Sequence, residues 1–297
     1  MIIFFMQTMT IRAPAKINLY LAVTGKEENG YHTVETVMQA ISLFDVVTVT
    51  KRKASLTAEC ITISCNHPDI PCDKTNLAWR AAIRFFEEYR TPFPIHIQIE
   101  KHIPIAGGLA GGSTNAAAVL VLLNRLTGSP FSRERLLSMG AALGMDVPFC
   151  ILSCMGISTA LGLHYGEKML PCTPIPPCTV LAASSGEQVS TPWAYQMIDN
   201  NPLASVNYLP LLHALDASDL SSVFSHMYNA FEGVILPQRD KARQCHTLLS
   251  ESGADKVLMS GSGPTVIALY TSKETAQRAL KTVNASGMHA VLCTTLS

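Results

Sequence analysis

The sequence predicts an α+β protein in two domains. Three observations carry that reading. Strand-like and helix-like stretches mix without the regular alternation of a doubly wound parallel sheet, and 48% of the 297 residues are hydrophobic, enough for large cores. Pro171, Pro174, Pro176 and Pro177 then crowd one short segment that cannot be regular helix, which marks a border and gives domains 1–168 and 169–297.

The elements follow in chain order. Met1–Met6 is apolar but lacks the basic leader and small-residue cleavage site of a signal peptide, so it reads as a first strand or as sequence upstream of a start at Met6 or Met9. Ile17, Leu19, Leu21 and Val23 alternate as in a strand with one buried face, and Gly25–Gly30 reads as the turn after it. Val46–Thr50 and Ile95–Glu100 are further strands. Leu77, Ala81, Ala82, Phe85 and Phe86 recur at helical spacing, with Arg84, Glu87 and Glu88 on the wet side. Asn115–Leu126 is apolar nearly all round, the pattern of a helix buried on most faces. A helix over Glu134–Leu143 would end on Gly144 as its C-cap. Beyond the prolines come a strand at Thr179–Ala183 and helices near Trp193–Ile198, Asp219–Phe231 and Arg239–Glu251. The end reads as strand Lys256–Met259, a glycine turn, strand Thr265–Tyr270, helix Lys273–Ala285 and strand His289–Cys293.

Composition excludes several functions. With 22 basic and 22 acidic residues the formal charge is zero, so the chain lacks the surplus that holds a protein on nucleic acid through phosphates. No apolar run reaches the roughly 18–20 residues that span a bilayer. The nine cysteines are an odd number without a CxxC pair, which implies reduced thiols and a cytoplasmic protein. Cys60, Cys65, His67 and Cys72 lie near one another, but their irregular spacing argues against a zinc site and for no permanent metal.

The most informative stretch is Pro104-Ile-Ala-Gly-Gly-Leu-Ala-Gly-Gly-Ser-Thr114. Four glycines and two hydroxyl residues follow a strand and run into the buried helix, so exposed N–H groups and a helix N-terminus converge. That is an anion site. Glycine admits close approach of a phosphate, the helix dipole favours negative charge, and Ser113 and Thr114 offer hydroxyls to phosphate or Mg2+. Neither the GxxxxGK[ST] loop nor the GxGxxG dinucleotide fingerprint fits the spacing. A second small-residue loop, Ser260-Gly-Ser-Gly-Pro-Thr265, would let another backbone approach the same ligand, although a connection between two strands favours glycine in any case. Asp146, in Gly144-Met-Asp-Val-Pro-Phe149, is a carboxylate in apolar company and needs a cationic partner. Lys16, at the head of a predicted strand, has the complementary character. Each equally reads as a member of a structural ion pair, and spacing does not pair them. Gly30-Tyr-His32 offers an aromatic ring and an imidazole that would clamp a flat base, or simply lie on the surface.

Taken in order, these segments resemble the GHMP kinase superfamily: Pro14-Ala-Lys-Ile-Asn-Leu19, Gly30-Tyr-His32, the loop from Pro104, Gly144-Met-Asp-Val-Pro148, Ala160-Leu-Gly162 with Gly166-Glu-Lys168, Val189-Ser-Thr191 and Met259-Ser-Gly-Ser-Gly-Pro264. The resemblance implies an N-terminal ribosomal-protein-S5-like domain and a C-terminal ferredoxin-like α/β plait. It implies an ATP- and Mg2+-dependent small-molecule kinase acting on the 2-hydroxyl of a cytidine-diphosphate-linked methylerythritol. A homoserine- or mevalonate-type kinase, or a non-catalytic nucleotide-binding relative, is the alternative.

By the same resemblance Lys16 and Asp146 are the catalytic pair, with Asn18 holding their arrangement and Asp146 also meeting the substrate. Pro104, Ile105, Ala106, Gly107, Gly108, Leu109, Ala110, Gly111, Gly112, Ser113 and Thr114 cradle ATP, with Mg2+ near Ser113. Tyr31 and His32 take the cytidine end, and Ser260, Gly261, Ser262 and Gly263 support the phosphate loop. Ala106 and Ala110 stand where the family has glycine, so positive φ is expected only at Gly107, Gly108, Gly111 or Gly112, and the Ala110 methyl would crowd the nucleotide. The family's aromatic contact to the cytosine carries over to no residue at 183–188.

Overall fold

The computed structural model describes residues 7–53, 60–105, 107–201 and 206–297; the apolar start Met1–Met6 and Ala106 lie outside the described residues. Along the chain run β1 (Thr8–Lys26), β2 (His32–Lys51), β3 (Ile61–Cys65), α1 (Leu77–Tyr89), β4 (Ile95–Glu100), α2 (Gly111–Leu126), α3 (Arg133–Ala141), α4 (Val147–Cys154), β5 (Thr159–Leu163) and β6 (Lys168–Pro171). Then come β7 (Thr179–Ser184), α5 (Thr191–Asp199), α6 (Leu209–Asp216), α7 (Leu220–His226), β8 (Tyr228–Asn229), α8 (Glu232–Ile235), α9 (Asp240–Ser250), β9 (Lys256–Met259), β10 (Val266–Tyr270), α10 (Lys273–Ala285) and β11 (His289–Thr294). Contacts gather the chain into two units. One takes residues up to Ala15 with Phe44–Ile105 and Ala110–Gly156; the other takes Lys16–Leu43, the loop up to Leu109, and Ile157–Ser297.

In the first unit β3 lies parallel to β4, β4 antiparallel to β2, and β1 next to β2. Four helices close its core. α1 shows why they form: Asn76 caps it by accepting from Ala78 N–H, Ala78, Ala81, Ala82, Phe85 and Phe86 face inward, and Arg90 ends it at φ 64°. α2 is buried without a break from Thr114 to Asn124, which is what its all-round apolar pattern requires. Burying Phe85 or Leu120 alone stabilises by about 1.5–3 kcal/mol, so this core fixes where α2 begins.

In the second unit β1 carries β8 alongside it in parallel, and β2 carries the hairpin β5–β6. A separate antiparallel sheet has the order β11-β7-β10-β9, with α9 and α10 packed through Cys245, Leu249, Ala276, Ala279 and Val283. The mixture of elements is α+β, as the sequence predicts. Three local readings change. The expected helix Asp219–Phe231 ends at His226 as α7 and gives way to β8, because Tyr228 and Asn229 pair with Tyr20 and Leu21 of β1 and tertiary pairing overrides the periodicity. Gly144 is not the C-cap of α3; Ala142 is, and α4 starts soon after with Pro148 in its first turn, where a missing N–H costs nothing. β1 begins at Thr8, so Lys16 lies in the middle of a long strand rather than at its head.

Candidate active site

In the first unit, α2 opens without a side-chain cap and without an acidic residue in its first turn. Its first intrahelical bond runs from Thr114 N–H to Ala110 O at 2.9 Å, which leaves the earlier N–H groups directed out of the helix end. Gly112 is exposed, and a Cβ there would meet nothing within 4 Å. Nothing in the fold demands glycine at that position. Positive φ falls on Gly108 (72°) and on Ala110 (58°), not on Gly111 or Gly112, so Ala110 itself holds the left-handed turn into the helix. Thr114 is fully buried, its hydroxyl against the Cys154 thiol, which burial pushes up to about 12, whereas Ser113 stays half-buried. Asp146 occupies the N-cap position of α4, half-buried, and makes no capping bond to its own helix.

In the second unit Lys16 and Asn18 stand two apart on β1, hence on one face of the strand. Both are buried. Lys16 Nζ donates to Asn18 Oδ1 at 2.8 Å, Asn18 Nδ2 to Thr36 Oγ1 at 2.8 Å, and Thr36 Oγ1 to the Tyr20 carbonyl at 2.8 Å. This relay fixes the ammonium at the end of a defined chain of donors. Lys16 N–H also donates to Leu109 O at 3.2 Å, which ties the strand to the glycine loop. Leu109 itself is buried and anchors that loop.

The loop Ser260–Gly263 meets the same segment. Ser260 Oγ donates to Gly108 O at 3.1 Å, and a Cβ on Gly108 would lie 2.3 Å from Ser260 O. The two backbones thus approach as closely as glycine permits. Asn229 braces the loop from behind, its Nδ2 donating to Met259 O and Gly261 O at 2.6 and 2.8 Å. Ser262 Oγ is 3.2 Å from Thr191 Oγ1.

His32 opens β2 and is enclosed by groups no motif announced. Tyr195 stacks on its ring at 4.6 Å and 21°, and Asp199 Oδ1 is 2.7 Å from its Nε2. Tyr195 and Asp199 are four apart on α5, so both fall on one helix face, a spacing visible in sequence only once the helix has a target. Lys26 Nζ reaches Asp199 Oδ2 at 2.6 Å, and hydrogen bonds from Lys26 and His32 hold the Asp199 carboxyl below the usual carboxylate range. Tyr31 is 59% exposed, its ring 5.5 Å from Tyr165. Among the described residues no group of three or more His, Cys, Asp or Glu could hold a metal ion, and no helix is long and apolar enough to cross a membrane.

Comparison with known proteins gives one family for the chain. The GHMP kinases N terminal domain matches residues 76–154 and the GHMP kinases C terminal domain residues 211–288. A 4-diphosphocytidyl-2-C-methyl-D-erythritol kinase from Clostridium perfringens is 39% identical over 274 residues, 92% of each chain. One from Acaryochloris marina is 37% identical over 287 residues, covering 92% of this chain and 90% of that one. The crystal structure of a 4-(cytidine 5'-diphospho)-2C-methyl-D-erythritol kinase superposes with TM-score 0.80 at 29% identity, over 97% of this chain and all (100%) of that one. A homoserine kinase from Cytophaga hutchinsonii, 17% identical with TM-score 0.73, shares the fold. With relatives 37–39% identical over nine-tenths of its length and both GHMP kinase domains in order, the chain belongs to the 4-diphosphocytidyl-2-C-methyl-D-erythritol kinases of the GHMP kinase family.

Proposed function

We propose that the protein transfers the γ-phosphoryl group of ATP to the 2-hydroxyl of 4-diphosphocytidyl-2-C-methyl-D-erythritol, giving the 2-phosphate and ADP. The observation that carries this is the glycine loop: an uncapped helix start with an unobstructed Gly112, whose Leu109 carbonyl is bonded to Lys16 N–H. Backbone N–H groups of Gly111, Gly112 and Ser113 would take the ATP phosphates, with Gly108 and Ala110 shaping the turn. Ser113 offers the oxygen that suits a hard cation, and Mg2+ bound with ATP supplies neutralisation of phosphate charge.

Phosphoryl transfer asks little covalent chemistry of the protein; alignment and positive charge at the transferred group decide the rate. In this reading Asp146 orients the 2-hydroxyl and accepts its proton, and Lys16, fixed by Asn18 and Thr36, stabilises the charge that develops. The cytidine end goes to Tyr31 and His32, with Tyr195 as the added aromatic surface and Asp199 setting the orientation of the imidazole. The nine cysteines, all free, suit a reducing cytoplasm.

The test is ADP release from purified protein given ATP, Mg2+ and the cytidylyl substrate. Turnover that CMP competes against supports the assignment. Turnover of homoserine or mevalonate unaffected by CMP, or no turnover by folded protein, overturns it. Asp146→Asn is expected to lower kcat by orders of magnitude while ATP affinity stays within a few fold, because only the transition state uses that carboxylate.

A further inference from the structure

A buried carboxylate meets both ends of the glycine loop. Asp45, on β2, is fully buried. Its Oδ1 accepts the backbone N–H of His102 at 2.8 Å and of Ile103 at 2.9 Å, where the chain leaves β4. Its Oδ2 accepts Asn115 Nδ2 at 2.8 Å, just inside α2, and also Lys101 Nζ. Lys101 is itself buried, its side chain 3% exposed, and its Nζ stands 2.8 Å from the point a Gly111 Cβ would occupy. A side chain at Gly111 would therefore press on the tip of Lys101 and on Ile103, while the backbone angle there does not call for glycine.

An ammonium against a helix N-terminus opposes the dipole, which favours anions there. Asp45 cancels that charge, so Lys101 adds no net field to the loop. A buried ion pair is also a weak source of stability, because desolvation of both charges offsets their attraction. What the cluster does supply is geometry: one carboxylate bonded to the strand exit and to the helix start.

We infer that Asp45, with Lys101 and Asn115, positions the phosphate loop, holding its two ends at the separation that presents the first-turn N–H groups of α2 to ATP. The inference rests on the ATP reading above. It makes Asp45 a positioning residue that touches neither substrate.

Two measurements on the full-length protein test it. Hydrogen exchange without nucleotide reads the loop directly: Asp45→Asn is expected to speed amide exchange across 103–113 at least tenfold while exchange in α10 stays at the parent rate. Calorimetry with ADP then reads the consequence, an affinity loss of tenfold or more, against a KM for the cytidylyl substrate within twofold. A merely structural role would not split the two substrates in that way. Asn115→Ala, which removes the tie to α2 and keeps the ion pair, gives the same readout where Asp45→Asn does not fold. Exchange at 103–113 within twofold of parent in a folded variant overturns the inference. A parent protein that binds no ADP refutes the ATP reading and leaves the exchange result to judge the clamp.

Discussion

Gly108→Ala isolates the contact between the two glycine loops. A Cβ at that position would sit 2.3 Å from Ser260 O and 3.2 Å from Ser260 C, both backbone atoms that cannot swing aside as a side-chain tip would. Forcing such an overlap costs about 1–3 kcal/mol in shifted backbone. The φ of 72° adds about 1–2 kcal/mol for any residue with a Cβ. Alanine's smaller unfolded-state entropy returns about 0.4–1 kcal/mol. The expected net loss is about 1–4.5 kcal/mol, or about 2–7 °C in Tm for a chain of this size, read by thermal and urea denaturation followed by circular dichroism. Ser260→Ala is the control. It removes only the hydroxyl bond to Gly108 O, worth about 1 kcal/mol. A Gly108→Ala loss below about 0.5 kcal/mol refutes the steric argument. Equal losses in the two variants would assign the contact to the hydrogen bond instead.

Three further outcomes follow from other positions. Gly112→Ala should leave stability unchanged or raise it by up to about 1 kcal/mol, since alanine is the better helix former and the site is open, yet it should raise the KM for ATP severalfold; unchanged KM would remove Gly112 from the phosphate path. Asp199 has its pKa lowered by Lys26 and His32, so its contribution is present above its unfolded value and lost as pH falls through the folded one. The Tm difference between parent and Asp199→Asn should therefore hold above the ordinary carboxylate value of about 4, begin to shrink there, and vanish only once pH has fallen below the lowered folded value. Thiol titration of native protein at pH 8 should modify exposed Cys60 and Cys72 first, while Cys178, pushed up by burial to about 11, and Cys245 and Cys293, pushed up to about 12, react only on unfolding.

Legibility in the sequence follows separation along the chain. The helix over Leu77–Tyr89, the strand Ile95–Glu100 and the helix Lys273–Ala285 are readable because each pattern is complete within a few turns. The glycine loop is readable for the same reason, as a local density of small residues before a buried helix. Ser260 Oγ and Gly108 O, 152 residues apart, and Lys101 and Asp45, 56 apart, leave no such trace, since neither partner alters the spacing around the other. Ala110 shows the converse limit. Residue type argued for positive φ on a neighbouring glycine, but the angle is set by where the core places α2, and the chain accepts the strain at alanine.

The charge balance has a related explanation. A protein handling two phosphate-rich ligands needs favourable potential where they bind, yet its 22 basic and 22 acidic residues cancel. Cancellation is local as well: Lys101 faces Asp45 and Lys26 faces Asp199, so neither cation is free to attract phosphate at long range. Apart from Lys16, what the loop itself supplies is partial charge from helix-end N–H groups, oriented by the fold and needing no counterion when the ligand is absent. Those dipoles act over a few ångströms, so they select a phosphate seated in the loop without raising affinity for polyanions in general. ATP binding should accordingly depend weakly on ionic strength, with a change of less than about threefold in KM between 50 and 300 mM salt. A steep salt dependence would show that long-range charge, not the helix end, draws the nucleotide in.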